Sequence, residues 1–129
     1  MMEYLADTVA IVRHFAKSGR IGSVARQILR DADAGKNTIY VSIISFVEIM
    51  YLAEIDRIPI NLDDTKKQFN ESDNYHIVDL NIDIIEVAKN IPGLELHDRL
   101  IAASSNYLGI PILTNDPDIS DSGLIEVIW

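Results

Sequence analysis

The sequence contains no cysteine, which removes disulfides from any account of its stability and excludes thiolate-bound zinc. It holds no apolar run near the ~18 residues of a membrane-spanning helix. The opening MMEYLADTVA has no basic stretch and is interrupted by Glu3 and Asp7. It is therefore not read as a secretory leader, and the cytoplasm is the expected compartment, with no membrane partner. No glycine-rich turn follows the first apolar run, which disfavours a dinucleotide site, and no GxSxG elbow offers a serine nucleophile. Positive charge is scarce too, with 11 Lys and Arg against 20 Asp and Glu and a net charge of −9. Such a balance suits nucleic acid poorly, because that binding draws on cations that neutralise phosphates. The scarcity is uneven, however. Residues 1–36 carry six basic and four acidic side chains, and residues 37–129 carry five and sixteen. A polyanion would approach the N-terminal helices, where Arg13, Lys17 and Arg20 are candidates for phosphate contacts and His14 could assist. Each of them, taken singly, also reads as an ordinary solvated side chain.

What is present describes a folded chain. Of 129 residues 48% are hydrophobic, a globular rather than a disordered composition, and the length suits one domain, 1–129. Apolar or β-branched runs at 3–6, 38–41, 76–80, 110–114 and 124–129 read as strands. Helical spacing follows Thr8, through Val9, Ile11, Val12 and Phe15, and a second helix is expected at 24–34 with Ser23 as its N-cap. Helices are also expected at 42–57, 63–74 and 82–90, and one more has Asp98 in its first turn. The 42–57 helix is apolar nearly all round, so burial is expected, and its polar Ser42, Ser45 and Glu48 share one stripe. The segment PDISDSG reads as a loop. Strand and helix alternate throughout, which predicts an α/β three-layer sandwich: a parallel β-sheet flanked by helices.

Four carboxylates stand out against this frame. Glu48 falls inside the most apolar helix, where an unpaired charge costs several kcal/mol. Either it meets a cation, or it pairs with another helix, through Arg13 or Arg99 for instance, or its helix face reaches water after all. Asp7 follows the first strand and Asp116 the fourth, and loops at the carboxyl ends of parallel strands are where ligands bind. Each has a plainer explanation, since Asp7 suits an N-cap, Asp98 is favoured by the helix dipole and Asp116 suits a turn before Pro117. If the two strands are central, the three aspartates converge. Clustered carboxylates repel one another unless a cation intervenes, and oxygen-only ligands suit Mg²⁺ or Mn²⁺. Such ions support hydrolysis of phosphodiesters without a protein nucleophile.

The stretches YLADTVAIVRHF, VSIISFVEIMYLAEIDRI and LHDRLIAASSNYLGIPILTND, with the closing strand, resemble the PIN domain family in order and spacing. More narrowly they resemble its freestanding VapC-type toxins. The resemblance implies a PIN-like fold and a metal-dependent endoribonuclease acting on RNA, the toxin of a type II toxin–antitoxin pair. It implies Asp7, Glu48, Asp98 and Asp116 as the acidic cluster. The three aspartates would bind Mg²⁺ or Mn²⁺, and Glu48 would complete the set or position the attacking water. Thr8 and Thr114 or Asn115 match the polar positions behind these acids, and a cognate antitoxin protein and a homodimer are the implied partners. Two departures stand out: Val9 follows Asp7–Thr8 where many members have Asn, and Ser104 and Ser105 replace small apolar residues. Two other readings remain. One is a PIN-like module that binds RNA or protein without cutting. The other is a receiver-like signalling domain with Asp79 as phospho-acceptor, weakened by the lack of a lysine after Thr114.

Overall fold

Five parallel strands form one sheet in the structure, a computed structural model that describes residues 2–129. In chain order they are β1 (Met2–Ala6), β2 (Asn37–Ser42), β3 (Tyr75–Val78), β4 (Ile112–Leu113) and β5 (Val127–Ile128). They lie side by side as β3-β2-β1-β4-β5. Helices α1 (Thr8–Ala16) and α2 (Ser23–Asp33) join β1 to β2, and α3 (Ile43–Glu54) and α4 (Leu62–Asn70) join β2 to β3. Helices α5 (Ile82–Lys89) and α6 (Leu96–Leu108) lead back to β4, and α7 (Pro117–Asp121) precedes β5. This is the expected three-layer α/β sandwich. No helix among the described residues is long and apolar enough to cross a membrane.

The period-2 alternation of strand side chains builds the layers. Tyr4, Ala6, Ile39, Val41 and Leu113 enter one core with Ile11 of α1, Leu29 of α2 and Phe46 of α3. Leu5 and Ile112 enter the other with Ile84 of α5 and Ile101 of α6. β1 is central, pairing with β2 from Met2↔Asn37 to Leu5↔Tyr40 and with β4 through Leu5↔Ile112 and Ala6↔Leu113. After β1 the chain moves outward to β2 and β3, then returns to the opposite flank at β4. The strand order thus reverses between β1 and β4, and ligand crevices of open α/β sheets lie beyond the carboxyl ends of such strands.

Several local expectations change. The strands expected at 110–114 and 124–129 shrink to two residues each. Part of the expected loop PDISDSG is α7, because Asp116 caps it and Pro117 stands in its first turn, a position where the missing proline N–H costs nothing. Gly22, not Ser23, occupies the N-cap of α2 and makes no side-chain bond. Trp129 explains this: its carbonyl accepts from Ala25 N at 3.4 Å, and a Cβ on Gly22 would stand 2.2 Å from the Trp129 carbonyl carbon. The apolar α3 is not enclosed. Ser45, Phe46 and Ile49 are buried, while Val47, Met50, Tyr51 and Ile55 are exposed. A helix in an outer layer is covered by the sheet on one side, whatever its composition.

Candidate active site

Asp7 leaves the end of β1 and begins α1. Its Oδ1 accepts from Ala10 N at 2.8 Å, so it is a true N-cap, and its Oδ2 accepts from Thr114 Oγ1 at 2.5 Å. Thr114, fully buried just past β4, also accepts from Asp116 N at 3.1 Å. One threonine hydroxyl therefore ties the ends of the two central strands together. Asp7 is 8% exposed. Burial raises its pKa, its two hydrogen bonds oppose the rise, and the charges of Asp116 and Glu48 add to it.

Glu48 approaches from α3. Thr8 Oγ1 donates to Glu48 Oε1 at 2.6 Å and shares a 2.8 Å hydrogen bond with the buried Ser45 Oγ. The expected burial of Glu48 is corrected: its side chain is 26% exposed, because the Ser45–Glu48 stripe runs along the edge of the helix where the cleft opens. No ion pair joins it to Arg13 or Arg99 among the described residues; the His97 imidazole is its neighbour, with Nδ1 4.0 Å from Glu48 Oε2. Ser42 of the same stripe has a local task, accepting from Ile44 N as the N-cap of α3.

Asp98 lies in the first turn of α6, but it is not the cap. Glu95 is, its carboxylate accepting from Asp98 N at 3.3 Å. Burial first, then the charges of Asp116, Glu95, Glu48 and Asp7, push the Asp98 carboxyl up to about 6. Asp116 caps α7 by accepting from Asp118 N at 2.9 Å. Each aspartate near a helix start thus obeys an ordinary capping or dipole rule, and the four acids still line one cleft of about 450 Å³. Thr8 and Asn115 line it as well, with Val9 and Leu52 as apolar wall. Among the described residues no lysine or arginine does.

No three His, Asp or Glu side chains among the described residues are drawn up to enclose an ion as they stand. The donor chemistry nevertheless fits a hard divalent cation. All four groups offer oxygen, and each Asp7 oxygen keeps a further lone pair after its hydrogen bond. The upward pKa shifts of Asp7 and Asp98 reflect burial first and then repulsion, both of which a cation would relieve.

Other nominated residues lie elsewhere. Arg13, Lys17 and Arg20 are not among the acids: Lys17 is the C-cap of α1, and Arg13 Nη1 donates to the Arg20 carbonyl at 2.7 Å. Ser104 and Ser105 are buried and donate to the Leu100 and Ile110 carbonyls, so they are satisfied within the fold. Asp79 is exposed and follows β3, an edge strand remote from the β1–β4 crevice, which removes the basis of the receiver-like reading. Sequence reasoning did not assign Ser45, Glu95 and His97 to the site. Ser45 had a signal in its three-residue spacing from Glu48, and Glu95 in its N-cap spacing from Asp98. His97 had none.

A model of the PIN domain family matches residues 4–123. Among curated protein sequences nothing matches. Solved structures share the fold at low identity. A chain of a toxin–antitoxin complex from Klebsiella pneumoniae is 21% identical, with TM-score 0.68 over 98% of this chain and 96% of its own. One from VapBC2 of Rickettsia felis, solved with a DNA fragment from its promoter, is 16% identical, with TM-score 0.70 over 98% of both chains. One from DNA-bound VapBC of Salmonella typhimurium is 14% identical, with TM-score 0.69 over 99% of this chain and 98% of its own.

Proposed function

The chain belongs to the PIN domain family, and from that premise we propose that it is a VapC-type endoribonuclease that hydrolyses RNA phosphodiesters with Mg²⁺ or Mn²⁺. The observation that carries this reading is the convergence of Asp7, Glu48, Asp98 and Asp116 on a cleft that no lysine or arginine lines among the described residues. Asp7, Asp98 and Asp116 would hold the ion, and Glu48 would complete the set. When bound, such an ion offsets the clustered charge and polarises the phosphodiester. Thr114 holds Asp7 against β4 while leaving lone pairs free on both carboxylate oxygens. Thr8, backed by Ser45, fixes one oxygen of Glu48, so the other, 4.0 Å from His97 Nδ1, is the one placed to take a proton from the attacking water.

Similar folds in toxin–antitoxin complexes support a cognate antitoxin chain as the partner that blocks the cleft. The exposed Val47, Met50 and Tyr51 on α3 support a homodimer through that face. On this reading the protein works in the cytoplasm, where its RNA lies. Cleavage of single-stranded RNA in Mg²⁺ tests the proposal. Asp7→Asn and Asp98→Asn each remove a charge placed for the ion, worth several kcal/mol in the transition state, so each rate should fall at least about 100-fold. Cleavage by either variant at the parent rate refutes the assignment. RNA binding by the parent without any cleavage favours the module that binds without cutting.

A further inference from the structure

Apart from the ion proposed for it, the acid cleft offers a polyanion no cation among the described residues. Four carboxylates line it and, among the described residues, no lysine or arginine, so the counterion release that drives RNA binding must come from elsewhere. A second cleft, of about 680 Å³, lies at the other end of α1 and is bordered by α2 and by Gln68 of α4. Asp7 caps one end of α1 and Lys17 the other, which puts the two clefts about 15 Å apart along the helix. Arg13, Lys17, Arg26 and Arg30 line this second cleft, four of the 11 Lys and Arg in the chain.

Although the chain has 20 acids, none of these four cations enters an ion pair among the described residues. The carboxylate beside them, Asp33, has both oxygens engaged. Oδ1 accepts from the Tyr75 hydroxyl at 2.6 Å, and Oδ2 lies 2.8 Å from His14 Nε2. The Arg13 guanidinium is preset, since the Arg20 carbonyl holds one nitrogen and Gly19, at φ +79°, lets the loop close on the side-chain stem. Its remaining N–H groups keep the planar fork that suits phosphate oxygens. An acidic helix would find few apolar side chains to bury against here, chiefly Phe15 and Ile21, whereas a phosphate strand needs none.

We infer that this α1–α2 cleft is a phosphate-binding exosite that grips single-stranded RNA a few nucleotides from the scissile bond. The inference rests on the nuclease reading above and adds the place where that enzyme holds its substrate. Fluorescence anisotropy of labelled oligouridine tests it in chelator, with the full chain, at lengths of about 4 and about 16 nucleotides, the span of sites in single-strand binders. Arg26→Gln/Arg30→Gln alters two exposed side chains on α2; circular dichroism would verify its folding, and Arg26→Glu/Arg30→Glu provides a stronger contrast. Because the Gln variant neutralises two fewer phosphates, its slope of log K against log salt should fall by about 1.4, and the long oligonucleotide should lose most of its advantage over the short one. An unchanged slope and length dependence overturn the exosite, as does stronger binding of a poly-glutamate peptide that displaces the RNA. RNA cleavage by the parent together with an unchanged slope sinks the exosite alone. Slope-dependent binding without cleavage in Mg²⁺ sinks the nuclease reading and leaves the exosite standing.

Discussion

Asp98→Asn should stabilise the metal-free protein above neutral pH while abolishing metal-dependent cleavage. Burial and the charges of Asp116, Glu95, Glu48 and Asp7 move the Asp98 carboxyl from 3.8 to about 6. The folded chain thus favours the neutral acid at a pH where the unfolded chain ionises it. Stability from this group is fully present below 3.8 and is lost as pH rises through about 6. A shift of about two units corresponds to nearly 3 kcal/mol, but the side chain is only partly buried, and solvent screening leaves about 1 kcal/mol. For a chain of this size that is about 4 °C in Tm. Asparagine keeps the shape and cannot ionise. In chelator the variant should therefore melt with the parent near about pH 4 and above it near about pH 8. Adding Mg²⁺ near that higher pH should reverse the order, because an ion that binds only the folded parent raises only its stability. A variant no more stable than the parent in chelator at the higher pH refutes the argument from burial and repulsion. Equal Mg²⁺ gains in both proteins refute the role of Asp98 in holding the ion.

Thr114→Val removes the hydroxyl that donates to the buried Asp7 and accepts from Asp116 N. It should cost about 1–3 kcal/mol in urea unfolding and weaken Mg²⁺-dependent activity about 10–100-fold, as loss of a group that orients a metal ligand does. Gly22→Ala drives a methyl group into the Trp129 backbone, and about 1–3 kcal/mol of overpacking should appear as a lower Tm with the RNA cleavage rate retained at low temperature. Tyr51→Glu places a charge on the exposed apolar face of α3. On the homodimer proposed above, light scattering should find a dimer for the parent and a monomer for the variant, and equal masses would exclude that face as the interface.

The fold was legible because its signals are local. Alternating strand and helix patterns predicted a parallel sheet between helical layers, and the acids at strand ends were visible as capping residues. Periodicity misled at α3, where apolarity all round suggested enclosure. The helix instead leaves Tyr51 at 58% exposure, since an outer layer is covered on one side. It misled again at 110–114 and 124–129, where apolar runs exceed the two residues that pair in each strand. Pairing depends on what a neighbouring strand offers, which no single run records.

The candidate site divides along the same line. By itself the sequence determined which groups were available: Asp7 after the first strand, Glu48 in an apolar helix, Asp98 at a helix start and Asp116 after the fourth strand. These follow from chemistry within a few residues of each position. Only the tertiary structure decided that β1 and β4 are neighbours, which brings Thr114 within 2.5 Å of Asp7 across 107 positions of sequence. It also decided that Thr8, backed by Ser45, orients Glu48, and that Arg13, Lys17, Arg26 and Arg30 share a cleft of their own. Contacts of that range depend on strand order, a property of the whole chain's packing that local periodicity does not encode.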